Sequence, residues 1–63
     1  MEEKGRFEKS KRTEIRVSVD KFEGMDIVDI REWTKDGQPT KKGIKFRSGF
    51  VDKLVDILKG LKI

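Results

Sequence analysis

An arginine, a tryptophan and a pair of lysines lie close together in this chain, and together they could hold a flexible polyanion. The run Val28-Asp29-Ile30-Arg31-Glu32-Trp33 reads as a strand. A turn-rich basic loop follows, and Lys41-Lys42-Gly43-Ile44 opens another strand. Cations in that setting meet phosphates, and an aromatic plane takes a base by stacking. No comparable constellation points to catalysis. The chain has no cysteine and no histidine, the groups that most often serve as nucleophile or general base. It has no glycine loop that would cradle a phosphate. Asp26 and Asp29 are three apart on a strand, hence on opposite faces, which spoils a shared carboxylate site. An enzyme is therefore not expected.

The same composition limits how the fold can be stabilised. With 63 residues the chain forms one domain, of a size that buries only a modest share of its surface. Disulfides are impossible, a soft-ligand zinc site is excluded, and the scattered carboxylates do not match a calcium loop. Neither metal nor cofactor is expected, and oligomerisation is the remaining route to stability. A homodimer is the expectation.

Charged residues make up 44% and hydrophobic residues 33%, with a net charge of +4. Placement matters more than the total. Lys4, Arg6, Lys9, Lys11, Arg12 and Arg16 outweigh Glu8 and Glu14 in residues 4–16. Arg31, Lys35, Lys41, Lys42, Lys45 and Arg47 outweigh Glu32 and Asp36 in residues 31–47. Between them, Lys21 faces Asp20, Glu23, Asp26 and Asp29. Two basic segments around an acidic middle give a patterned surface suited to a polyanion. A lysine-rich solvated surface is the plainer reading of the same charges. No apolar run approaches a membrane span, and the acidic start is unlike a targeting signal. A soluble intracellular protein is expected, in cytoplasm and nucleoid or in a nucleus according to its source.

Four strands and a helix would position these side chains. Residues 1–5 read as a flexible end, and residues 6–63 as the domain. Residues 6–11 alternate weakly and suit a short edge strand. Ile15, Val17 and Val19 alternate with polar residues, the mark of a half-buried strand. Phe22-Glu23-Gly24 supplies a turn. Met25 to Trp33 forms the next strand, with Val28 and Ile30 on one face and Met25, Ile27, Asp29, Arg31 and Trp33 on the other. Apolar groups on both faces make it central. Asp36-Gly37 is a strong turn signal, Pro39 keeps the loop open, and Gly43 to Arg47 alternates again. From Phe50 to Leu61 the apolar spacing changes to three and four, which predicts an amphipathic helix. Ser48 is its expected N-cap, and Asp52 and Lys59 complement its dipole. Gly60 suits the helix end, while Leu61 and Ile63 hint at further burial. The helix packs on one sheet face, leaving the other for a partner, and part of its stripe suits a second subunit.

The order and spacing of these motifs resemble the transcriptional coactivator positive-cofactor-four family. The residues that carry the resemblance are Ile15-Arg16-Val17-Ser18-Val19, Phe22-Glu23-Gly24, Val28-Asp29-Ile30-Arg31-Glu32-Trp33 and Pro39-Thr40-Lys41-Lys42-Gly43-Ile44. It spans roughly residues 13–58. The resemblance implies a curved four-stranded antiparallel sheet followed by one C-terminal helix, an α+β fold assembled as a homodimer. It implies binding of single-stranded or melted DNA with little sequence preference, in transcription or another DNA transaction. Phe22 and an aromatic near Trp33 would stack on bases, while Arg31, Lys42 and Lys41 would contact the backbone. Lys21 would serve as the basic residue before the phenylalanine. Two departures are specific. Trp33 takes the first of two positions that are often aromatic, with Thr34 in the second, and Met25 stands where lysine is common. The serine-rich, acidic N-terminal region of eukaryotic members has no counterpart here, as expected of a minimal prokaryotic or viral core.

The residues themselves leave some roles open. Trp33 fits either a core position or a stacking surface. Arg31 fits either a phosphate or a carboxylate partner such as Asp20 or Asp29. Arg12, Arg16 and Lys35 are further candidates for phosphate contact. DNA is favoured over RNA, and transcription machinery is a further candidate partner. The alternative reading is a small adaptor whose basic surface binds an acidic protein.

Overall fold

A computed structural model describes residues 1–62. Four strands form one antiparallel meander in the order β1-β2-β3-β4. They are β1 (Glu2–Glu8), β2 (Thr13–Phe22), β3 (Met25–Thr34) and β4 (Pro39–Arg47). A short 3-10 turn at Ser48–Phe50 leads into α1 (Val51–Lys59). Ile63, expected to extend helix burial, lies outside the described residues.

Local chemistry explains the turns. Glu23 and Gly24 both take positive φ, 53° and 79°, between the paired residues Phe22 and Met25. Two positive φ values in a two-residue loop suit the right-handed twist of the flanking strands. The β3–β4 loop is organised by Thr34. Its backbone N–H donates to the Gln38 carbonyl at 2.8 Å, its hydroxyl bonds the Asp36 carboxylate, and the hydroxyl accepts from the Gln38 N–H at 3.0 Å. Ser10 does similar work between β1 and β2, accepting from the Arg12 and Thr13 amides.

The register of β2 on β3 runs unbroken from Thr13↔Thr34 to Phe22↔Met25. It sorts the side chains strictly. One face takes Ile15, Val17, Val19, Val28 and Ile30, joined by Phe7 from β1 and by Ile44 and Phe46 from β4. The other takes Arg16, Ser18, Phe22, Ile27, Asp29, Arg31 and Trp33. β3 is central, as its two-sided apolar pattern requires. Opposite Glu32 the register of β4 shifts: Arg31 pairs with Gly43, but Trp33 pairs with Pro39. The bulge lies on β4, so Trp33 keeps its place on the Arg31 face.

Three local expectations are corrected. The edge strand starts at Glu2 rather than Arg6, because pairing with Val19 and Ser18 recruits Glu2 and Glu3 despite their poor strand propensity. β4 starts at Pro39, where the first position of a strand tolerates a missing donor. Ser48 is not an N-cap. The 3-10 turn intervenes, Phe50 holds the cap position, and no side chain caps the helix. Gly60 does end it, its N–H bonding the Ile57 carbonyl at 3.1 Å.

The helix lies beside β4, where Phe50, Leu54 and Ile57 line one apolar concavity with Ile44 and Phe46. It covers only that margin. Val28 is the one buried hydrophobic residue among those described, and Phe7, Ile44, Ile57, Leu58 and Leu61 are all more than half exposed.

Gly43 is the tightest point of the sheet. A β-carbon there would lie 2.9 Å from the Arg31 Cβ and 2.9 Å from the Ile30 carbonyl oxygen. Gly43→Ala should therefore destabilise by about 1–3 kcal/mol, the usual cost of overpacking. Gly5→Ala, where an added β-carbon meets nothing within 4 Å, should shift stability by less than about 0.5 kcal/mol. Urea unfolding midpoints of the two variants check both expectations.

Candidate nucleic-acid interface

A row of arginines crosses the polar face. Arg6 pairs directly with Arg16, and Arg16 with Arg31, while Gly43 stands opposite Arg31 on β4. Like charges directly opposite one another are destabilising, and each of these has a carboxylate in compensation. Arg6 bonds Glu3 at 2.6 and 2.7 Å and Glu14 at 2.9 Å. Arg16 donates from Nε to Glu14 at 2.6 Å. Arg31 donates from Nε to Asp29 at 3.2 Å and from Nη1 to the Thr40 carbonyl at 2.8 Å. Of the two carboxylates weighed for Arg31, it is Asp29 that holds it, from two residues back on the same strand. Asp29 is buried on this face and also lies 3.9 Å from Lys45.

Trp33 belongs to the polar face and not to the core. It is half-buried, with the Arg16 guanidinium 4.3 Å from its ring centroid, well inside the range of a cation–π contact. A shallow concavity beside it is lined by Met1, Asp29, Arg31, Pro39, Thr40, Lys41 and Lys45. Phe22 is 63% exposed on the same face, at the far end of the β2–β3 hairpin. It lines a second concavity of about 270 Å³ with Met1, Asp20, Ile27, Asp29 and Lys45. Phe22 sits opposite Met25, eight residues from Trp33 along β3, or about 27 Å at strand spacing. The two rings therefore cannot serve one base; they mark separate positions along a strand.

The other predicted residues divide by location. Lys41 is exposed on the rim beside Trp33. Lys21 and Lys42 point to the opposite side. Lys21 alternates with Phe22 and lies 3.5 Å from Asp26, and Lys42 lies 3.9 Å from Glu32, whose cross-strand partner is the apolar Ile15. Neither is placed with Phe22, Arg31 and Trp33. Arg12 is in the β1–β2 loop and Lys35 in the β3–β4 loop, held to each other by a backbone bond at 3.1 Å. Lys35 also binds Glu8 at 2.7 Å. Arg6, Pro39 and Lys45 escaped the reading of the sequence. Lys45 was within its reach, since it alternates with Ile44 and Phe46 and so must face away from them. Arg6 was not, because its place depends on pairing with Arg16.

Charge is polarised along the strands. Asp20, Glu23 and Asp26 cluster at the Phe22 end, whereas Arg12, Lys35 and Lys41 gather at the Trp33 end. Among the described residues no carboxylate cluster suited to a metal ion occurs, and no helix is long and apolar enough to cross a membrane.

The family model described as Transcriptional Coactivator p15 (PC4) matches residues 9–57. Among solved structures, the crystal structure of a PC4 homolog from Burkholderia pseudomallei is similar, with a TM-score of 0.81 and 27% identity. That match covers 92% of this chain and 84% of the other. No curated protein matches.

Two carboxyls, one on each face of the sheet, tie the stability of the fold to pH. The hydrogen bond from Arg16 holds Glu14 below the ordinary glutamate value of 4.5, and the hydrogen bond from Lys9 does the same for Glu32. A carboxyl that is more acidic folded than unfolded stabilises the fold fully above its unfolded value and loses that contribution as pH falls through the folded value. Denaturation midpoints should hold steady from pH 7 to about 5 and fall below about 4.5. Glu14→Gln and Glu32→Gln should each flatten the acid limb, measured by urea unfolding across that range.

Proposed function

This chain belongs to the transcriptional coactivator p15 (PC4) family, and on that premise we propose that it binds single-stranded or melted DNA as a homodimer, with little sequence preference. The family is one of nucleic-acid-binding proteins and not of enzymes. The observation that carries the reading is Trp33, half-buried on the charged face between the arginine row and Lys41. A lone tryptophan that left the apolar face for a cationic groove is placed as a base-stacking platform would be.

In this reading the phosphates run past Lys41 and the free edge of Arg31, with Arg12 and Lys35 extending the cationic end. Bases stack on Trp33 and, several nucleotides away, on Phe22. The acidic cluster near Phe22 disfavours phosphate there, so the strand meets that ring with its bases. Weak sequence preference follows because every base offers a π-face. A function of this kind belongs inside the cell, where DNA is melted for transcription or another transaction. An acidic protein partner would use the same cations but would not need the two rings.

The dimer rests on the apolar side. Phe7 and Ile44 are exposed on that sheet face, and Ile57, Leu58 and Leu61 are exposed on and just after the helix, apolar surface of the kind that marks association. Sedimentation velocity should give twice the mass of the chain, and Ile57→Asp should yield monomer.

Fluorescence anisotropy with labelled single- and double-stranded oligonucleotides at two salt concentrations tests the binding itself. The single strand should win. Trp33→Ala and Phe22→Ala should each cost about 1–3 kcal/mol on single strands. Lys41→Ala should lower the salt slope by about 0.7, the share of one phosphate. Equal binding to both forms, insensitive to the two rings, would point instead to a protein partner.

A further inference from the structure

Arg16 looks at first like one more cation for phosphate, but its surroundings argue otherwise. Its side chain is only 14% exposed, whereas that of Lys42 is 78% exposed. Its Nε is committed to Glu14 at 2.6 Å, and the same Glu14 oxygen accepts from Arg6 Nη1 at 2.9 Å. Arg6 is itself braced by both oxygens of Glu3. The chain of contacts Glu3–Arg6–Glu14–Arg16 thus ends on the Trp33 ring, where the guanidinium sits 4.3 Å from the centroid. Glu14 is also the direct cross-strand partner of Trp33. The concavity beside the ring is walled by Arg31, Pro39 and Lys41, and Arg16 is not among its walls.

We infer that Arg16, pinned by Glu14, is a fixed backing plate for Trp33 and not a phosphate contact. It closes one side of the ring and leaves the side toward Arg31, Pro39 and Lys41 for a base. The inference deepens the stacking role proposed for Trp33 and rests on it. Physically, a ring already clamped loses less freedom when a base arrives, so the clamp strengthens binding through pre-organisation. The planar guanidinium is what the role needs. An ammonium keeps the charge but cannot lie flat on the ring while donating edge-on to Glu14, as the Arg16 guanidinium does.

Two substitutions separate the roles because the two roles predict different outcomes for each. Arg16→Lys keeps the charge. A phosphate contact would survive it, whereas a backing plate is lost, and single-strand binding should weaken by about fivefold to tenfold, in keeping with a partly desolvated cation–π contact. Glu14→Gln removes a carboxylate that competes with phosphate. A phosphate role predicts tighter binding; a backing plate that has lost its anchor predicts weaker binding. Arg16→Ala should leave the salt slope unchanged, while loss of a phosphate contact would lower it by about 0.7.

A readout without nucleic acid stands beside these. Trp33 is the only tryptophan, so acrylamide quenching of intrinsic fluorescence reports on that ring alone. Quenching should rise in Arg16→Lys and Glu14→Gln at temperatures where circular dichroism shows both still folded. Tighter binding by Glu14→Gln, or a lower salt slope in Arg16→Ala, overturns the inference while leaving the stacking reading intact. A wild-type protein that does not prefer single strands sinks the stacking reading, and this inference with it.

Discussion

The pairing of β2 with β3 is the constraint on which the other features rest. Ten consecutive residue pairs keep one register, and in an antiparallel pair a slip of one residue would exchange the two faces of a strand completely. Here such a slip would bury Arg16 or Arg31 among Val17, Val19, Val28 and Ile30. The apolar stripe therefore locks the register, and the register in turn aligns Arg16 with Arg31. Arg6 joins the row because β1 pairs onto β2, and Gly43 completes it because a side chain there would strike Arg31.

Lining up arginines creates an electrostatic problem that the sheet solves locally. The carboxylates of Glu3, Glu14 and Asp29 offset the row, so the centre of the face is close to neutral. Long-range attraction for a polyanion must then come from the rim and the loops, through Lys41, Arg12 and the lysines near them. In the proposed reading the central arginines serve through geometry. This division explains why a modest net charge can coexist with a demanding, pre-organised face. It also explains why Asp29 tolerates burial, since an ionised carboxylate out of water needs a partner and has the Arg31 guanidinium at hydrogen-bond distance.

Much of this was legible from period alone. The alternation of Ile15, Val17 and Val19 and the split of β3 into a Val28–Ile30 face and an Arg31–Trp33 face both survive in the structure. So does the change to helical spacing after Phe50. What escaped was whatever depends on a neighbour distant in sequence. The resemblance assigns Lys21 and Lys42 to the interface through the position before Phe22 and the Lys42-Gly43-Ile44 motif, yet each lies next to a residue of that face and so belongs to the opposite one. Arg6 gained its place only through β1 pairing. Ser48 had the right chemistry for a cap, but the chain spends a 3-10 turn there before the helix begins. Thr34, which took a position expected for a second aromatic, holds the β3–β4 turn together instead.

The remaining apolar surface follows from simple lengths. A helix of nine residues is about 14 Å long at the α-helical rise. Strands of ten residues run about 33 Å. One such helix cannot roof the face it serves, and in this chain it covers only the β4 margin, leaving Phe7 and Ile44 open to water. The polar face cannot share the burden, because its side chains are committed to ion pairs and to Trp33. A second copy would bring a second helix and a second apolar sheet face of the same shape, so the proposed self-association would cover this surface without adding a residue. It would also set two charged faces in one particle, each with a cationic Trp33 end. The segregation that leaves the isolated chain short of a core is thus what frees one whole face for a partner.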